Sequence, residues 1–191
     1  MSNFETSGYL KVENLIDQTT IKTLSQYFEN KINRGEWAQK KLTAHDSSKF
    51  GHYADPLIEA LLVTCLPAVE QRMGFLLEPT YSFSRVYQGG EELKPHTDRP
   101  SCEISVTVNV ACTMSEPWPI WMQYKGNDPA KCLLNPGDAV IYKGCQVTHW
   151  RRPLEQGAIN PQFMLHYVAK NGPNATYKFD KRAALGLPPV N

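Results

Sequence analysis

The sequence predicts an α+β chain in which a helical layer backs a double-sheet β-sandwich or jelly roll. Three observations carry that expectation. Helical spacing of apolar residues is confined to positions 1–75, and from Thr80 the chain turns to short segments rich in β-branched and aromatic residues with Gly and Pro between them. Helices first and many short strands afterwards is the order of an α+β layer architecture, with the β core expected over about 80–170. The length, 191 residues, suits one domain with a sizeable core and is short for two, so one domain is expected over 1–191.

The elements follow in order. GYLKVENLI reads as a short strand. Asp17 stands at the cap position of TTIKTLSQYFENKIN, where Ile21, Leu24, Phe28 and Ile32 recur at helical spacing. The segment 34–54, which holds Trp37, is polar with little period. Asp55 as cap and Pro56 as first helical residue open a second helix, DPLIEALLVTCLPAVEQRM, which Pro67 is expected to kink or split. TYSFSRVY, EISVTVNVAC, WPIWMQY, KCLLN, DAVIYKG and QFMLHYVA are the candidate strands. Alternation is clearest in the second, which sets Ile104, Val106, Val108 and Val110 against Ser105, Thr107 and Asn109. No internal repeat or linker interrupts the plan.

Composition excludes several classes. Hydrophobic residues make up 41% and charged residues 20% without a low-complexity tract, which marks a globular chain. Twenty basic against nineteen acidic residues give a formal charge of +1 with no dense Lys/Arg run, so nucleic acid is not the expected partner. The start lacks the basic and apolar regions of a signal peptide and no apolar run approaches a membrane span, so the expected location is cytoplasmic, with no membrane partner. Cys65, Cys102, Cys112, Cys132 and Cys145 are scattered without a CxxC pair, against both a disulfide framework and a thiolate zinc site.

The chemistry concentrates in KPHTDRP. In an extended segment His96 and Asp98, two residues apart, point to the same side and offer two metal ligands in one cavity. A third must come from far along the chain, and His149 in GDAVIYKGCQVTHWRRP is the best placed. Two imidazoles and one carboxylate suit non-haem Fe(II), because they leave one face of the ion open.

An isolated HxD is a common chance match, but its surroundings are specific. Tyr87, Gly89, His96, Asp98, then Pro136-Gly137-Asp138, His149, Pro153 and Gly157 stand in an order and spacing that resembles the Fe(II)/2-oxoglutarate dioxygenase superfamily, in particular its prolyl 4-hydroxylase-like branch. The resemblance covers about residues 80–170. It implies a double-stranded β-helix, a distorted jelly roll, with His96, Asp98 and His149 binding Fe(II) near its open end. It also implies 2-oxoglutarate and O2 as cosubstrates, with ascorbate a possible auxiliary. Decarboxylation of 2-oxoglutarate to succinate and CO2 would be coupled to hydroxylation of a substrate C–H bond.

An anionic cosubstrate tail needs a charge-assisted partner, best a guanidinium. The resemblance places a Lys or Arg about ten residues beyond the distal histidine, but that position is Ile159, and realigning by the strand puts Gln162 there. Arg151, Arg152, Lys143 and His166 are the substitutes, with Arg152 favoured beside the metal mouth. Tyr87 matches the family's cosubstrate-bonding tyrosine, and Asn109 would assist from a facing strand. Alternation in QFMLHYV turns Gln162, Met164 and His166 toward the cavity. Arg85 and Arg99 are candidates for substrate contact, as is Trp150, which with Trp118 and Trp121 would form an aromatic wall. His45 and His52 read as surface residues, or as part of a lid in HDSSKFGHYAD.

The leading expectation is therefore a 2-oxoglutarate-dependent hydroxylase acting on a peptidyl or amino-acid substrate, with prolyl the first guess and other small molecules open. The alternative is a cupin-like metal-binding or small-molecule-binding module without turnover, which the missing basic residue favours. A nucleic-acid demethylase is a third option that the near-neutral charge opposes.

Overall fold

The computed structural model describes residues 3–35 and 50–188. A short helix α1 (Asn3–Ser7) precedes strand β1 (Tyr9–Val12), helix α2 (Gln18–Asn33), strand β2 (Phe50–Tyr53) and helix α3 (Pro56–Met73). Strands β3 (Leu77–Gln88), β4 (Leu93–His96), β5 (Ile104–Asn109), β6 (Ile120–Tyr124), β7 (Ala130–Cys132), β8 (Ala139–Lys143), β9 (Val147–Arg151) and β10 (Ile159–Ala169) follow.

Both long helices start where their caps dictate. The Asp17 carboxylate accepts from the Thr19 and Thr20 backbone N–H groups, and that of Asp55 from Leu57 and Ile58, satisfying donors the first helical turn leaves free. Pro67 does not split α3. It sits on the exposed side of the helix, where the carbonyl that loses its intrahelical donor can meet water. Asp55 also accepts from Lys31 Nζ at 2.5 Å and Tyr27 Oη at 2.7 Å, tying α2 to α3.

The strands form two antiparallel sheets, β1-β8-β5-β10-β3-β2 and β4-β9-β6-β7. The period of two decides how the large sheet is used. Ile104, Val106 and Val108 of β5 and Phe163, Leu165 and Tyr167 of β10 pack with Leu24, Phe28, Ile58 and Leu62 of the helices. The opposite faces of the same strands look toward the small sheet, and the site lies between. This is the double-stranded β-helix, and the helices support one face of it.

Three local expectations are corrected. Segment 34–54 contains β2, which pairs with β3 and so extends the large sheet. His52 lies in that strand beside Lys31 Nζ, at 2.7 Å, rather than in a surface loop. Trp37, His45 and the first part of the expected lid lie outside the described residues. β9 was not expected as a strand, since VTHWR carries no clean apolar alternation, yet it holds His149 at its centre. Finally, the chain beyond β10 returns across the end of the large sheet. There Arg182 is buried and pairs with Glu59 of α3 at 2.6 Å, and Asp180 meets Tyr53 and Arg99.

Candidate metal centre

β4 and β9 are neighbours in the small sheet, and their register sets His96 directly opposite His149. β4 ends at His96, and the extended chain beyond it carries Asp98 back toward the same point, fixed by a hydrogen bond from its N–H to the Gly144 carbonyl at 2.8 Å. Asp98 Oδ1 lies 3.7 Å from His96 Nε2 and 3.6 Å from His149 Nε2, separations that one ion with bonds of about 2.1 Å can span.

The tautomers are set by the backbone. His96 Nδ1 is 2.9 Å from the Lys94 carbonyl and His149 Nδ1 is 3.1 Å from that of Val147. A carbonyl only accepts, so each Nδ1 carries the proton and each Nε2 turns a bare lone pair toward Asp98. Burial pushes His149 down to about 4, which keeps it neutral at ordinary pH, the form that can donate a lone pair. Burial likewise raises the Asp98 carboxyl, against the opposing pull of His166, Ser105, His96 and Arg99. Three lone-pair donors facing one point, two of them neutral imidazoles and one a carboxylate, fit a divalent transition-metal ion.

Beside them is a cavity of about 270 Å³. Tyr81, Phe83, Arg85 and Tyr87 reach it from β3, and Gln162, Met164 and His166 from β10, as alternation predicts for the latter. Register partners place Gln162 between Arg85 on one side and Asn109 on the other. Arg85 is buried and stacks on Phe83 at 4.5 Å, and burial lowers its pKa against the opposing pull of Tyr87 and Glu91. Tyr87 Oη and Gln162 Oε1 are buried without a hydrogen-bond partner. Buried polar atoms are rarely left this way, so a group with acceptor and donor capacity of its own is expected there.

The other expected residues fall in different places. Arg152 is exposed and stacks on Trp121 on the outer face of the small sheet, because inward-facing positions on β9 are 147, 149 and 151. Trp150 is on that same outer face, parallel to Trp121 with centroids 6.1 Å apart, so neither borders the cavity. Trp118 packs on Tyr87 in a separate cluster. Lys143 pairs with Glu5 at 2.9 Å. Arg151 is buried next to Trp118, donates to its carbonyl and is pushed down to about 10 by burial, behind Tyr87 rather than in the cavity. Asn109 faces inward but donates to the Leu134 carbonyl at 2.8 Å and does not line the cavity. Arg99 does line it, at the rim, held by Asp180 at 2.9 and 2.7 Å and lying over the Tyr81 ring.

Arg85 was expected as a substrate contact, and alternation in TYSFSRVY already sets this cation on the face of Tyr87, where both line the cavity. Tyr142, on the same face of β8 as Val140, was missed, and it reaches within 3.5 Å of His149 Nε2.

No family model matches the chain and no curated protein matches it in sequence. Solved structures match in fold. A prolyl-4-hydroxylase from Pseudomonas putida superposes with a TM-score of 0.72 at 12% identity, over 87% of this chain and 95% of that one. The non-haem α-ketoglutarate-dependent epimerase SnoN from nogalamycin biosynthesis gives 0.74 at 10% identity, over 98% and 88%. HygX from Streptomyces hygroscopicus, solved with nickel and 2-oxoglutarate bound, gives 0.65 at 11% identity, over 88% and 85%.

Proposed function

We propose that the chain is an Fe(II)- and 2-oxoglutarate-dependent oxygenase that hydroxylates a C–H bond of a peptidyl or amino-acid substrate. The observation that carries this reading is the convergence of His96 Nε2, His149 Nε2 and Asp98 Oδ1 beside a cavity whose far end holds a buried arginine and unsatisfied polar atoms. His96, Asp98 and His149 would hold the metal. Bound iron supplies the activation of oxygen and the oxidising power, which no side chain here could provide.

The protein's own residues do the rest. Arg85 supplies the charge for the distal carboxylate of 2-oxoglutarate, with Gln162 and Tyr87 as hydrogen-bonding partners beside it. The family-like position on β10 is Gln162, and its register partner on β3 is Arg85. The charge is thus moved one strand sideways, and the departure that favoured a binding module loses its force. The carbonyl-pinned imidazoles keep both ligands deprotonated at Nε2. The two sheets shield the inner side of the site from water, where His149 is only 3% exposed.

Leu93, Ile120, Phe83 and Met164 give the remaining wall an apolar character. A cavity of about 270 Å³ must hold the diacid as well, so the part of a substrate that enters it is the size of one side chain or small ring, which supports a peptidyl or amino-acid substrate.

Anaerobic titration of the Fe(II)-loaded protein with 2-oxoglutarate tests the reading. Chelation through the keto-acid end gives a weak visible charge-transfer band, expected to be saturable and absent in His149→Ala. Bound iron with no band would sink the proposal and return the chain to the metal-binding-module reading.

A further inference from the structure

Asp98 uses its two oxygens differently. Oδ1 faces both imidazoles, whereas Oδ2 points away and accepts from Ser105 Oγ at 2.8 Å. The same hydroxyl lies 3.0 Å from His166 Nδ1 and 3.2 Å from the Cys102 carbonyl. A hydroxyl has one proton, and the short contact to an ionised carboxylate is the strongest claim on it. His166 Nδ1 must then be the donor to Ser105, which gives a directed chain from His166 through Ser105 to Asp98 Oδ2.

The fold builds this chain deliberately. Ser105 and His166 are register partners on β5 and β10, so the pair is fixed by two paired strands rather than by a loop. Gly144 makes room for it: a Cβ there would lie 2.8 Å from both Asp98 Oδ2 and Ser105 Oγ and would overlap the Cys102 carbonyl.

Building on the oxygenase reading, we propose that Ser105 and His166 are positioning residues that restrict Asp98 to one-oxygen ligation, so that the metal keeps its full open face. A keto acid fills two positions and oxygen one. A carboxylate that rotated to bind through both oxygens would take one of them. Rotation must break the Ser105 hydrogen bond, and His166 holds Ser105 in the orientation that makes it. The nearby group of Asp98, Cys102 and His166 also has its possible ligand atoms within 4.8 Å of one another, but Ser105 already occupies both Asp98 Oδ2 and His166 Nδ1.

The test compares Ser105→Ala, His166→Leu and His166→Asn with the wild type as Co(II)-loaded proteins under anaerobic conditions. The readouts are metal affinity, the visible Co(II) absorption, which reports coordination number, and 2-oxoglutarate affinity from its spectral change. Ser105→Ala and His166→Leu are expected to hold Co(II) within about threefold of wild type while binding 2-oxoglutarate about tenfold or more weakly, with an altered Co(II) spectrum before the cosubstrate is added. His166→Asn, whose amide can replace the Nδ1 donor, is expected to stay close to wild type.

Unchanged cosubstrate affinity in both disruptive variants overturns the proposal. Parallel loss of metal and cosubstrate, the mark of a merely structural role, also overturns it, as does uptake of two metal equivalents per wild-type chain. A wild type that binds Co(II) without any response to 2-oxoglutarate overturns the oxygenase reading, and this inference with it.

Discussion

Arg85 is the residue on which the cosubstrate reading turns. It is buried, so its interaction with an entering carboxylate is poorly screened, and a guanidinium–carboxylate pair in such a place is strong when made and costly when broken. Arg85→Gln keeps a polar side chain of moderate length but removes the charge. A carboxylate brought into the same space then lacks its counter-ion, at a cost of about 3–4 kcal/mol. That corresponds to a roughly 100- to 1,000-fold rise in the Kd for 2-oxoglutarate.

The assay is the anaerobic charge-transfer titration, with Fe(II) affinity measured alongside. Iron binding should be unchanged, since Arg85 is not among the three converging ligands. Because Arg85 and Gln162 are register partners, their Cβ atoms lie about 5 Å apart, and adding Gln162→Arg to Arg85→Gln should recover a substantial part of the affinity. A Kd for Arg85→Gln within about threefold of wild type would refute the assignment, whatever the double variant does. The cation behind Tyr87, Arg151, would then be the next to examine.

Two further predictions rest on the same structure. Burial holds His149 and His166 neutral, each pushed down to about 4, so between about pH 4 and 6.5 the unfolded chain binds protons that the folded metal-free chain does not. Stability should be fully present above pH 6.5 and fall on acidification through that window by several kcal/mol, partly offset by Asp98, whose raised carboxyl has the opposite sign. Urea unfolding of the metal-free protein at pH 7 and 5 measures it, and equal midpoints would contradict the burial argument. Gly144→Ala is expected to destabilise the fold by about 1–3 kcal/mol and to weaken metal binding as well, because its methyl group meets both the Cys102 carbonyl and Asp98 Oδ2. Thermal melting together with Fe(II) titration reads both effects.

Much of the plan is legible in the residues because it rests on local rules. Asp17, Asp55 and Pro56 announce helix starts by capping chemistry that needs no tertiary partner. The alternation in β5 and β10 separates helix-facing residues from those on the opposite face, where Thr107, Gln162 and His166 line the cavity. The short edge strand β2 and the strand β9 gave weak signals because neither alternates cleanly. Burial of VTHWR on one face depends on partners from β4 and β6.

Taken alone, the sequence determined the layer order, the caps and the His–x–Asp with its distal histidine, since periodicity and spacing are properties of the chain itself. It could not choose among the arginines. Proximity in HWRRP favoured Arg152, but one residue along a strand reverses the face, and Arg152 therefore points outward onto Trp121. Only strand pairing shows that Arg85, seventy-seven positions before Gln162, lies directly across from it. The same pairing turns Ser105 and His166 into a hydrogen-bonded support for Asp98. Which side chains share a cavity is decided by register between distant strands, and register is fixed only when the whole sheet is packed.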